Sequence, residues 1–209
     1  MGPGLLAIWN AITPEHEARF NAWYDGEHVP ERLALPGFLE ARRYRDASSP
    51  HRYCALYDTD SPDALSSRAY LARLSDPTPA TRSIMSEFRD MHRAVCEVTL
   101  DVGAARGTGR SLAVVELDAS ATADLVRERA ASLAAANGLR IRLAVPDAGR
   151  TQVPTPEQQL RGAPDRLPST LLLIEGEDAQ ACLSAAAALA TGISAMSFEL
   201  LYATKKNAD

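Results

Sequence analysis

The chain has 209 residues, 46% of them hydrophobic and 23% charged, with a formal net charge of -5 and a pI near 5.4. That balance belongs to a folded globular protein and excludes a disordered or fibrous chain, while the acidic, sign-mixed charge offers no footprint for nucleic acid. No apolar run reaches the roughly 18 to 20 residues of a membrane span, Met1 to Ile12 lacks the basic start of a signal peptide, and Lys205 and Lys206 are the only lysines; the expectation is a cytoplasmic protein with neither membrane nor nucleic-acid partner.

Leu5 to Ile12 is a short apolar run that predicts a strand. Thr13-Pro14 then offers an N-cap followed by proline at the first helical position, and Phe20, Trp23 and Tyr24 keep helical spacing until Pro30 is expected to end the helix. Pro36-Gly37 turns the chain into a strand over Phe38 to Arg45, and His51 to Asp58 predicts its hairpin partner across a turn at Ser48 to Pro50. Two helical pieces, Ser66 to Leu74 and Ala80 to Phe88, are broken by Pro77 and Pro79, and Arg93 to Leu100 predicts a fourth strand. The order is βαββαβ.

After a flexible stretch, Gly103 to Gly109, the second half repeats that order. Strands are expected at Ser111 to Leu117, Leu139 to Val145, Leu171 to Glu175 and Met196 to Ala203, with helices near Ala121 to Asn137 and Asp178 to Ala190. Asn137-Gly138 and Gly192 stand where helix C-caps belong. The fold class is therefore α+β, two tandem ferredoxin-like modules over residues 1–103 and 111–209 joined by a linker at 104–110. Each would form a four-stranded sheet with one bare apolar face, and packing sheet to sheet buries both. A doubly wound parallel sheet is the alternative, disfavoured by the lack of a glycine-rich phosphate loop. Sheet edges and helix faces leave room for a homodimer. Residues 146–168, with five prolines, form a long loop read either as disorder or surface cover, or as a lid or partner contact.

All four histidines, both tryptophans, five of the six tyrosines and three of the four phenylalanines precede residue 104. A site on this chain is therefore expected in the first half, and its densest cluster is Trp23 to Arg32. At 100° per residue Phe20, Trp23 and Glu27 share a stripe facing the core, with Tyr24 and His28 at its edge. A carboxylate aimed inward needs a partner such as an arginine, or a raised pKa, and that is how a general acid or base is made. His28 could shuttle a proton near neutrality. Alternatively it only complements the helix C-terminus, with Glu27 swung into solvent. In the second strand, alternation sends Arg43 to one face and Arg42 and Tyr44 to the other, so either face receives an arginine able to fork onto a carboxylate. Cys54, Cys96 and Cys182 sit in apolar patterns and are expected as buried free thiols. Neither HExxH nor CxxC occurs and no metal-ligand spacing is found. With no Walker sequence, nucleophile elbow or dinucleotide fingerprint, chemistry without a cofactor is the simplest enzymatic option.

The run from Ala22 to Arg32, followed by Leu35-Pro36-Gly37-Phe38 and Arg42-Arg43-Tyr44, resembles EthD-like proteins of the dimeric α/β-barrel superfamily over about residues 4 to 100. Tyr70-Leu71 and Pro77-Thr78-Pro79 fit the same group. The resemblance implies ferredoxin-like modules forming a barrel, here as a pseudo-dimer within one chain, and a small-molecule pocket, commonly between helices and sheet. Relatives in that superfamily include cofactor-free monooxygenases, lactone isomerases, polyketide cyclases and haem-degrading enzymes, so fold does not fix reaction. Two functions stay open. In one, His28 and Glu27 move a proton on a small aromatic or carbonyl-bearing compound held by Trp23, Tyr24, Arg43 and Tyr44, which requires a cavity of a few hundred Å³. In the other the chain is a non-catalytic binding or accessory protein, and the same residues brace the helix end.

Overall fold

Alternation along the strands decides the architecture. In β1 (Gly4–Ile12), Leu6 and Ile8 point to one face and Leu5, Ala7 and Trp9 to the other, and both sets are buried. A strand buried on both faces lies between two apolar layers. The same division runs through β2 (Phe38–Asp46), β3 (Arg52–Thr59) and much of β4 (Phe88–Gly103), and through β5 (Ser111–Leu117), β6 (Arg140–Pro146) and β7 (Thr170–Gly176), whereas β8 (Met196–Lys205) buries Phe198 and exposes alternate residues. The computed structural model describes residues 2–49, 51–103, 109–117, 120–161 and 164–206, so Pro50 of the expected turn and 104–108 of the expected linker lie outside the described residues.

All eight strands form one closed antiparallel barrel in the order β1-β3-β2-β8-β5-β7-β6-β4. The first four lie as β4-β1-β3-β2 and the last four as β8-β5-β7-β6, and closure comes from β2 pairing with β8 and β4 with β6. These two pairings occupy the edge of β2 and the Cys96–Gly103 part of the edge of β4. Inside the barrel lie Leu5, Trp9, Tyr44, Leu56, Leu112 and Phe198. The outer faces carry two further cores beneath the helices, one in each half.

The first half begins with a 3-10 turn (Pro14–His16), then α1 (Glu17–Trp23), a π-helical turn (Tyr24–His28) and α2 (Val29–Leu33), without a break. Pro30 does not stop this helix as expected. A proline ring clashes with the carbonyl four residues back and cannot donate to it, but the π turn replaces that pattern: the Val29 amide donates to Tyr24 O, five residues back. A 3-10 turn (Pro62–Ser66), α3 (Arg68–Ser75) and α4 (Pro79–Met85) follow, with Thr78 capping α4 through the Thr81 amide. Phe88, expected as helix, already belongs to β4, where it sits opposite Ile12. In the second half α5 (Ser120–Asn137) and α8 (Ala179–Leu189) cover the sheet, and Gly138 and Gly192 take the left-handed backbone at φ 60° and 81° that their C-cap positions require.

Segment 146–168 folds into α6 (Ala148–Thr151) and α7 (Pro156–Gln159) and crosses to the first half. The Asp147 amide donates to Val95 O at 2.8 Å, the Val95 amide to Thr151 Oγ1 at 2.9 Å, and the Arg166 amide to Met91 O at 2.8 Å. It is a strap along β4. All three cysteines are buried free thiols, and no helix among the described residues is long and apolar enough to cross a membrane.

Candidate functional site

The π turn sets which side chain faces the core. A uniform α-helix would put Glu27 on the stripe of Phe20 and Trp23, but the wider turn rotates His28 there instead. Trp23 and His28, five residues apart, pack in a tilted arrangement with ring centroids at 4.5 Å, and Tyr24 and Tyr57 approach the imidazole at 5.0 and 6.5 Å. His28 is only 5% exposed. Glu27 lies half-buried on the flank of α4, where the Thr78 hydroxyl donates to its Oε1 and Thr81 Oγ1 lies at 3.5 Å. Thr81 also accepts from Trp23 Nε1 at 3.2 Å. The expected arginine partner of Glu27 is thus replaced by two threonines, and no hydrogen bond joins Glu27 to His28.

Between this helix end and the outer face of β1 and β4 lies a narrow cavity of about 30 Å³, lined by Leu6, Ile8, Tyr24, His28, Arg32, Tyr70, Met85, Arg93, Glu157 and Arg161 among others. It is far smaller than the few hundred Å³ expected, with room for about two waters. Burial, then the guanidinium groups of Arg32, Arg43, Arg161 and Arg73, hold His28 well below the usual 6.5, so its ring is neutral at physiological pH. Burial pushes the Tyr24 hydroxyl up to about 12, and it stays protonated. Arg32 donates to both oxygens of Glu157, at 2.7 and 2.9 Å, and Arg161 forks onto Asp165 at 3.0 and 2.6 Å. Two buried polar atoms of residues lining the cavity lack a hydrogen-bond partner: His28 Nδ1 and Arg32 Nη1. Such atoms are costly to leave unmatched, so a group that answers them is the natural complement of the cavity.

The remaining residues singled out from the sequence divide between two faces of the sheet. Trp23 packs behind His28 and Tyr24 lines the cavity. Arg43 does not reach the cavity: it pairs with Asp25, donates to Asn21 Oδ1 at 2.8 Å and stacks over Tyr24 at 4.2 Å, clamping α1 to β2. Tyr44 lies inside the barrel, donating to Glu175 Oε1 at 2.9 Å. It belongs to a buried network in which Asp58 and Glu175 each bridge Arg42 and Arg142 at 2.6 to 3.0 Å. A larger cavity, about 310 Å³, opens at that barrel mouth beside Asp58, Asp101 and Arg140. Its guanidinium groups face matching carboxylates, although Arg42 Nη1, Arg142 Nη2 and Glu175 Oε2 also lack a hydrogen-bond partner, and of the two cavities only the one at His28 is lined by a histidine. Arg32, Tyr70, Arg93, Glu157 and Arg161 were not anticipated. Arg32, four residues beyond His28, and Glu157, within the unusual proline-rich loop, carried a signal; Arg93 carried only its alternation with Met91 and Val95. Among the described residues no cluster of side chains suited to a metal ion occurs.

No protein-family model matches this sequence, and no curated protein matches it. Solved structures do. A proposed monooxygenase from Fusobacterium nucleatum superposes with a TM-score of 0.61 at 9% identity, covering 98% of this chain and 95% of its own. An anthrone oxidase-like protein gives 0.61 at 11% identity, covering 99% and 94%. A heme-binding protein from Thermus thermophilus gives 0.50 at 13% identity, covering 96% and 92%. At these identities the likeness establishes a shared fold and nothing finer.

Proposed function

We propose that this chain binds a small organic molecule at His28 and moves a proton on it using its own side chains. The observation that carries the reading is the buried, neutral His28, which has an unpartnered Nδ1 and lines a cavity rich in guanidinium groups. A neutral imidazole accepts a proton from an acidic C–H or O–H, the neighbouring arginines stabilise the anion left behind, and the Tyr24 hydroxyl is a protonated donor beside it. Substrates of an aromatic or carbonyl-bearing kind, and isomerase, cyclase or monooxygenase-like outcomes, follow from that first step. Names borne by the neighbours, a proposed monooxygenase and an anthrone oxidase-like protein, are compatible with it, as is the EthD-like run around His28. A haem does not suit this cavity of about 30 Å³, which is far below the size of a macrocycle. The repeated strand order and the reciprocal β2–β8 and β4–β6 pairings support reading the chain as two tandem modules, the first carrying the site and the second lending the strap.

The narrowness of the cavity favours a second reading, a binding protein without catalysis. Deuterium exchange separates the two. Incubating the protein in D₂O with a panel of small phenols and 1,3-dicarbonyl compounds is expected to accelerate exchange of an acidic C–H in at least one, with the rate falling roughly 100-fold or more in His28→Gln, the scale of a lost general base. If no compound shows exchange that depends on His28, the chain is a binding protein.

A further inference from the structure

We infer that the ligand of the His28 cavity is a monoanion whose charged oxygens are received by Arg93 together with Arg32, and that Glu157 of the strap is the internal carboxylate it competes with. This inference rests on the reading of the cavity as a small-molecule site and adds the charge of what it takes.

The argument is one of matching charges. Three guanidinium groups line the cavity, those of Arg32, Arg93 and Arg161, against one carboxylate, Glu157. Asp165 answers Arg161 from within the strap and Glu157 answers Arg32. Arg93 has no carboxylate within 4 Å among the described residues; it donates only to neutral oxygens, Thr151 O at 3.0 Å and the Tyr70 hydroxyl at 3.2 Å. His28 contributes no charge of its own to the balance. The cavity therefore holds one positive charge in excess, on the half-buried Arg93. Desolvated cations are stable when an anion with hydrogen-bond acceptors meets them. A monoanion completes the match, and a dianion overshoots it.

Geometry adds a second, independent indication. Arg32 is 2% exposed, yet its Nη1 has no hydrogen-bond partner, and neither has His28 Nδ1. Both residues line the cavity. A carboxylate or an enolate presents acceptor lone pairs to the Arg32 Nη1 donor, and its conjugate acid presents a proton to the imidazole. Glu157 already demonstrates that the fold accepts a carboxylate against Arg32. It is carried by α7, a four-residue helix capped by Thr155, so its side chain can yield Arg32 to a ligand without disturbing the barrel. A ligand larger than about two waters must shift this strap, which makes Glu157 a specificity-determining residue supplied by the second half.

The test uses the full chain and follows the His28 imidazole resonances by NMR during titration with acetate, benzoate and 2-naphthoate, each paired with its neutral primary amide. At least one carboxylate is expected to perturb His28 with an affinity roughly tenfold or more above its amide, the scale of a charge-assisted hydrogen bond. That preference should persist in Arg93→Lys and vanish in Arg93→Gln. If carboxylate and amide perturb His28 equally, the charge inference is overturned while the site reading stands. If no probe perturbs His28 at all, both are overturned. The comparison in the unmutated chain decides the question even where Arg93→Gln does not fold.

Discussion

A histidine that folding forces to stay neutral must make the fold sensitive to acid, and His28 allows the size of that effect to be worked out. Its ordinary value is 6.5 and burial, aided by Arg32 and other guanidinium groups, holds it well below that in the folded chain. Below pH 6.5 the unfolded chain therefore binds a proton that the folded chain does not, and stability falls as pH falls, by up to about 1.4 kcal/mol per pH unit. Stability attributable to His28 is intact above 6.5 and is lost progressively towards its folded value. From pH 7.5 to 5.5 the loss amounts to about 1.4 kcal/mol, a drop of roughly 3–6 °C in Tm for a chain of this size. Urea melts followed by the fluorescence of Trp9 and Trp23, in the unmutated chain and in His28→Gln, measure it as the difference between the two pH profiles. His92, which burial also holds below its ordinary value, adds an effect of the same sign to both proteins and cancels. Parallel profiles would refute the argument, because they would mean that His28 is protonated as readily in the fold as out of it.

Two further substitutions probe the frame around the site. Asp58→Asn removes a bridge between Arg42 and Arg142, which are 0% and 1% exposed, and a buried charge stripped of its partner typically costs about 3–5 kcal/mol; urea unfolding should show that loss, and a change under about 1 kcal/mol would mean that Glu175 alone suffices for both arginines. Glu27→Gln should leave the His28 titration where it is, since Glu27 is engaged by Thr78 and Thr81; a displaced His28 curve in an NMR titration would show that the two are coupled after all.

Strands were legible because alternation and turn residues are local. Leu5 to Ile12, Ser111 to Leu117 and the Gly138 cap needed no tertiary knowledge. Helix ends were legible where a side chain caps them, as Asp178 does by accepting from the Ala181 amide. What was not legible was the π turn. Nothing in Tyr24 to His28 distinguishes a five-residue from a four-residue repeat, and so the sequence placed Glu27 on the face that His28 occupies. Pro30 was misjudged for the same reason, since its clash with the helix depends on the repeat that precedes it. Arg43 and Tyr44 were correctly assigned to opposite faces, but which face held a cavity depended on packing between residues more than a hundred positions apart, such as Tyr44 with Glu175.

The strap shows how closure of the barrel reaches the site. β6 pairs with β4 only from Gly103 back to Cys96, where it ends at Pro146, so the remainder of β4 from Phe88 to Val95 has β1 on one side and an open edge on the other. Open edges invite unwanted pairing and are normally covered. The strap covers this one with backbone bonds at Asp147 and Arg166 and the hydroxyl of Thr151. Edge cover asks nothing of Glu157 or Arg161. Both nevertheless turn inward, and each is at least nine-tenths buried, at a cost in desolvation that covering a strand does not require. Their burial is explained if the strap's second task is to finish the wall of the His28 cavity, supplying charge to a first-half site that the first half alone would leave unenclosed.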